Sequence, residues 1–147
     1  MYIGLQDMFK IGIGPSSSHT VGPMRAARRF VMGLPEDSLR EVQRVQVELF
    51  GSLAHTGHGH GTDLAILMGL CGEVPDSVDT SSIAQRVATI HRECRLTLLG
   101  QHEVPFDMAR DLLFNRTDEL PVHTNGMRFQ AWNADAALLD SRELYSV

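Results

Sequence analysis

Apolar residues recur along this chain with two periods. Met24, Ala27, Phe30, Val31 and Leu34 fall three to four apart, which predicts an amphipathic helix over 21–34. Arg25, Arg28 and Arg29 lie on its other side, either as a solvated face or as a contact for a partner or an anion. Pro23 suits the first turn, and Ser18 or Thr20 is placed to cap it. Val45, Val47 and Leu49 then alternate with Gln46, Glu48 and Phe50, the pattern of a strand over 44–52 with one buried face. Residues 64–70 read as a helix that Thr62 or Asp63 could cap. A further helix runs from Ser81 or Ser82 to about Glu93, with Ile83, Val87 and Ile90 on one face. Leu96 and Leu98 mark a strand over 95–99, and 101–107 is expected to be a turn region. Residues 108–114 suit a helix or a strand equally. Asn125-Gly126 is a hairpin-turn signal, followed by a strand over 127–132 and a partnering strand over 137–147. Residues 2–13 are expected to form a short helical turn or strand leading into the first polar loop. The expected fold class is α/β (α+β): one domain over 1–147, helices and strands interleaved, with a mixed or antiparallel sheet ending in an antiparallel hairpin. The chain stops at Val147 without Gly, Pro or a polar tail, as expected of a fragment of a longer protein.

Composition narrows the function classes. A chain of 147 residues with 43% hydrophobic and 21% charged residues suits one soluble domain with a real core. A net charge of -5 argues against nucleic acid or an anionic membrane as partner. No apolar run approaches a spanning length and residues 1–7 lack a signal-peptide pattern, so a cytoplasmic location is expected. Cys71 and Cys94 lack CxxC spacing and read as buried free thiols. Lys10 is the only lysine, so a pyridoxal enzyme would have to form its Schiff base there. Neither GxGxxG nor GxxxxGK[ST] occurs.

Chemistry-bearing residues gather in three polar loops. The first, Gly12 to Pro23, places Ser16, Ser17, Ser18, His19 and Thr20 in a row between glycines and prolines, ahead of a helix start. It is either a cradle for a carboxylate or phosphate or a capped turn. The second spans 51–63 and the third 121–126. His19, His55, His58, His60 and His123 lie in these loops, whereas His91 and His102 read as surface residues. His55, His58 and His60 fit a zinc reading in residue type, without an evident further ligand. His60, flanked by Gly59 and Gly61, equally fits a general base, with Asp63 near enough in sequence to orient it. A Ser-His-Asp hydrolase is a third option, though no Gly-x-Ser-x-Gly elbow is present.

Gly12-Ile-Gly-Pro-Ser-Ser-Ser-His-Thr-Val-Gly-Pro-Met24 resembles the N-terminal signature of the iron–sulfur L-serine dehydratases. Glu48-Leu-Phe-Gly-Ser-Leu-Ala with Thr56-Gly-His-Gly-His-Gly-Thr-Asp63 is similar to that family's second motif. His123-Thr-Asn-Gly-Met-Arg-Phe129 resembles its third, and Tyr145-Ser-Val147 the residues ahead of its glycine-rich continuation. The resemblance covers nearly the whole chain. It implies the family's β domain, itself similar to the substrate- or effector-binding domain of some phosphoglycerate dehydrogenases. It implies an enzyme, usually a homodimer, that converts L-serine to pyruvate and ammonia without pyridoxal phosphate. The family's α domain holds a [4Fe–4S] cluster through three cysteines outside this segment and leaves one iron open for substrate. The histidine of Gly-His-Gly-Thr-Asp, here His60, is the family's base, and His19 joins it as a catalytic candidate. Ser16, Ser17, Ser18, Thr20, Thr62, Asp63 and Asn125 are the substrate-binding candidates, with no metal ligand in the segment. The segment alone is expected to be inactive. A non-catalytic module that binds or senses a small carboxylate is the alternative.

Overall fold

The structure is a computed structural model that describes residues 19–35, 37–56 and 61–146. The expectations for residues 2–13, Ser16, Ser17, Ser18, His58 and His60 lie outside these residues.

Helix α1, Val21–Met32, buries Val21, Met24, Ala27, Phe30 and Val31 and turns Arg25 and Arg29 to solvent, as the three-to-four spacing requires. Thr20 occupies its N-cap position without a side-chain capping bond. Strand β1, Arg44–Phe50, alternates as expected, with Val45, Val47 and Leu49 fully buried. It runs straight into a six-residue helix, α2, Gly51–Thr56, where a polar loop was expected. Leu53 and Ala54 on α2 are fully buried. The Gly, Ser, His and Thr around them concealed a helix too short to show a period.

Helix α3, Thr62–Leu70, is apolar nearly all round and therefore central. Gly69 sits where α1 crosses it: a Cβ there would stand 2.2 Å from the Met24 carbonyl oxygen and 2.8 Å from the Ala27 Cβ. Neither Thr62 nor Asp63 caps α3; Gly61, at φ 87, holds that position. Helix α4, Thr80–Glu93, is capped by Asp79, whose carboxylate accepts from the Ser81 N–H, rather than by Ser81 or Ser82. Strand β2, Arg95–Leu98, pairs antiparallel with β3, His102–Pro105, in a second sheet. Only Val104 of β3 is buried, so the pattern there was too short to separate a strand from the expected turn. His102 is not a bland surface residue, because its Nε2 lies 2.8 Å from the Val42 carbonyl oxygen. The ambiguous stretch is both elements in succession: a helical turn α5, Met108–Asp111, and then strand β4, Leu112–Asn115.

Strands β5, Gly126–Trp132, and β6, Leu138–Tyr145, complete the main sheet, whose order is β4-β1-β5-β6. β1 is parallel to β4 and antiparallel to β5, and β5 and β6 form the antiparallel C-terminal hairpin. Asn125-Gly126 is not its turn: Gly126 opens β5, and residues 133–137 make the reversal. Val47 opposite Phe129 and Leu49 opposite Met127 give the sheet its apolar face, against which Phe30 stacks on Phe129 with ring centroids 5.4 Å apart. The other face is polar, with Arg128 reaching Glu48 at 3.5 Å and Glu143 at 2.9 Å. The architecture is α+β, with the four-stranded sheet mixed and the two-stranded one antiparallel. No helix among the described residues is long and apolar enough to cross a membrane.

Candidate functional site

The end of β1 is where the three polar loops meet. Gly51 makes the strand-to-helix turn at φ +55, a backbone region that favours glycine. A Cβ on it would stand 2.3 Å from the Thr124 carbonyl oxygen, so the absent side chain is what lets the third loop approach. Next along, the Ser52 N–H donates to Thr124 Oγ1 at 3.0 Å, which ties the start of α2 to that loop. Ser52 Oγ lies 3.0 Å from His19 Nε2, which ties it to the first loop. The Thr62 hydroxyl donates to the His19 carbonyl oxygen, so the start of α3 holds His19 from behind.

Of the residues expected at the site, His19, Thr62 and Asn125 lie in or beside this network. Thr20 and Thr62 are fully buried, and the Thr20 carbonyl accepts the Met24 N–H at 3.0 Å. Asn125 is buried, donates its backbone N–H to His123 Nδ1 at 3.0 Å and accepts the Ser146 N–H at 3.0 Å. Because His123 Nδ1 is the acceptor, that ring carries its hydrogen on Nε2 when neutral. Asp63 is half-buried, bonds its neighbour's backbone through Leu64 N–H at 2.9 Å, and lines a cleft with Met108, Leu113, Phe114 and Arg116. His55 is exposed in the last turn of α2.

Ser52 and Thr124 were not among the expected residues. A serine directly after a glycine at the end of an alternating strand was the available signal for Ser52. Thr124 carried none beyond adjacency to Asn125, since its partner lies 72 positions away in sequence.

Among the described residues no group of three or more His, Cys, Asp or Glu could hold an ion. Cys71 is half-buried and Cys94 is exposed, contrary to the expectation that both are buried. Burial pushes the Cys71 thiol above its ordinary value, with Arg86 opposing. Around His19 the site offers hydroxyls, backbone groups and an imidazole. These can orient a small polar ligand, and the Ser52–His19 contact can position or exchange a hydroxyl proton.

Residues 4–147 match the family described as serine dehydratase beta chain. The chain is 51% identical over 148 residues to an L-serine dehydratase of Streptomyces coelicolor, covering 100% of this chain and 32% of that protein. It is 48% identical over 147 residues to L-serine dehydratase 1 of Escherichia coli, covering 99% of this chain and 32% of that protein. An L-serine dehydratase of Mycobacterium tuberculosis is 44% identical over 148 residues, again with 100% and 32% covered. The chain thus spans about a third of the length of these relatives. With its motifs, its α+β fold and the full-length match all in one register, the chain belongs to the serine dehydratase beta chain family.

Proposed function

We propose that this chain is the substrate-holding, proton-abstracting part of an L-serine dehydratase, which converts L-serine to pyruvate and ammonia. The observation that supports it most is the convergence of the first, second and third loops through His19, Ser52, Thr62 and Thr124. These are the loops that carry the three family-like motifs, and a site assembled from all of them is what a small amino acid needs for orientation.

Removing the α hydrogen of serine requires a base near neutral pKa beside a substrate held in place. In this reading His60 is that base, and the first loop with Ser16, Ser17, Ser18, His19 and Thr20 grips the substrate. Thr62 fixes the His19 backbone, and the Ser52 hydroxyl orients the His19 ring. Asp63 and Asn125 complete the binding set. A [4Fe–4S] cluster is held by three or four thiolates. The two cysteines of this chain, one half-buried and one exposed, do not fit that role. The proposal therefore assigns the cluster to the two-thirds of the relatives' length that this chain does not span, in an α domain that is fused or separate. It further assigns the assembled enzyme to a cytoplasmic homodimer.

The test is His60→Ala in the complete enzyme, with pyruvate release and exchange of the L-serine α hydrogen with solvent deuterium as readouts. Both should fall by roughly a hundredfold or more, with KM changed only a few-fold and iron content intact. Near-normal kcat in the variant would refute the role of His60. A wild-type enzyme that binds L-serine without releasing pyruvate would favour the binding module instead.

A further inference from the structure

Asn125 carries an unmet demand. Its Oδ1 is the buried side-chain oxygen or nitrogen that finds no hydrogen-bond partner among the described residues, and the residue is only 7% exposed. A buried amide carbonyl without a donor is costly to keep and is uncommon in folded proteins.

Nothing about the placement of Asn125 is loose. Its N–H is held by His123 Nδ1 at 3.0 Å and its carbonyl by the Ser146 N–H at 3.0 Å. On one side Thr124 is fastened to Ser52, and Ser52 to His19, each at 3.0 Å. On the other, Ser146 is packed so tightly on α1 that a Cβ at Gly22 would stand 1.8 Å from its Oγ. A side-chain acceptor fixed by its own backbone bonds, beside the meeting point of the three loops, is preorganised for a donor that no described residue supplies.

We infer that Asn125 Oδ1 accepts a hydrogen bond from the α-ammonium group of the substrate, so that the third loop reads the amino group. The inference rests on the reading of the site as one for L-serine. A carboxylate has no hydrogen to give. An ammonium has three and no acceptor, and it is the part of an amino acid that a lone carbonyl oxygen complements. Bonds to charged groups are the stronger kind, so Asn125 would separate amino acids from hydroxy acids of the same size. Oδ1 is closed to solvent, so binding must uncover it, and Val122 in the same loop is 74% exposed.

The experiment uses the complete enzyme and the variants Asn125→Ala and Asn125→Asp. The measured quantities are KM for L-serine and the inhibition constants of two analogues. L-Alanine keeps the ammonium and lacks the hydroxyl, whereas 3-hydroxypropanoate keeps the hydroxyl and lacks the ammonium. In Asn125→Ala, KM for L-serine and Ki for L-alanine should rise roughly ten- to a hundredfold while Ki for 3-hydroxypropanoate stays within about threefold. Asn125→Asp keeps the shape and the acceptor, so its preference for L-alanine over 3-hydroxypropanoate should equal or exceed that of the wild type. If the alanine variant does not fold, this preference alone decides. A preference that is unchanged in Asn125→Ala, or that falls in Asn125→Asp, overturns the inference. A wild-type enzyme that releases no pyruvate from L-serine marks failure of the functional reading instead.

Discussion

Replacing Gly51 with alanine tests whether the junction of β1 and α2 is built on an absent side chain. Two costs add. Alanine at φ +55 enters the left-handed region, at about 1–2 kcal/mol. Its Cβ would also meet the Thr124 carbonyl oxygen at 2.3 Å and Thr124 Oγ1 at 2.6 Å. Those atoms are backbone and a short side chain already bonded to Ser52, so relief means moving the third loop, at about 1–3 kcal/mol more. The sum, about 2–5 kcal/mol, is a large part of a typical domain's stability. Gly100 supplies the control: it has φ +67, but a Cβ on it would meet nothing within 4 Å, so Gly100→Ala should cost only the first contribution. With a urea slope of about 2 kcal/mol per molar, Gly51→Ala should lower the unfolding midpoint by about 1–2.5 M and Gly100→Ala by about 0.5–1 M. In the complete enzyme only the first should also depress kcat/KM, because only it displaces Thr124 from Ser52. Equal midpoint shifts, or a Gly51 variant as stable as the wild type, would refute the reasoning.

The two thiols should differ in reactivity and in pH dependence. Cys94 is exposed and should be modified by a disulfide reagent at least tenfold faster than half-buried Cys71, whose thiol burial holds in the protonated form. Since the folded Cys71 keeps its proton past the ordinary value of 9.0, the unfolded chain ionises first and stability falls as pH rises beyond it. Cys71→Ala should flatten that alkaline loss, and equal modification rates or an unchanged alkaline slope would count against the burial. At the acid end, the Ser81 hydroxyl and N–H hold the Asp79 carboxyl below its ordinary value of 3.8. The cap of α4 is therefore fully present above that value and is lost as pH falls through the lower folded one. Circular dichroism during acid titration should show a later loss of helix in the wild type than in Asp79→Ala, and superimposed curves would exclude the cap.

Periodic elements were legible because their burial is written in the order of residues. Helix α1, strand β1, helix α4 and strand β5 each carry enough apolar positions to reveal a face, and α3 shows as a nearly unbroken apolar run. Of the short elements, β2 showed through Leu96 and Leu98, but the others did not. α2 has six residues, β3 has four, and α5 and β4 share one ambiguous run, and these owe their form to packing on neighbours distant in sequence. Caps misled for a related reason: Ser, Thr and Asp near a helix start compete for one position, and at α3 that position is held by Gly61 without any side-chain bond.

The same division runs through the site. The motifs by themselves pointed to the family and named His19, Thr62 and Asn125, because residue type at fixed spacing is a property of the chain. Only the tertiary structure decided that His19 meets Ser52 across 33 positions and Ser52 meets Thr124 across 72. It also decided that Asn125 stands just ahead of a strand that Gly126 opens rather than closing a hairpin, and that its Oδ1 is buried without a donor among the described residues. Contacts between segments so far apart depend on sheet register and on a glycine that lets two backbones touch. Neither leaves a periodic trace in the sequence.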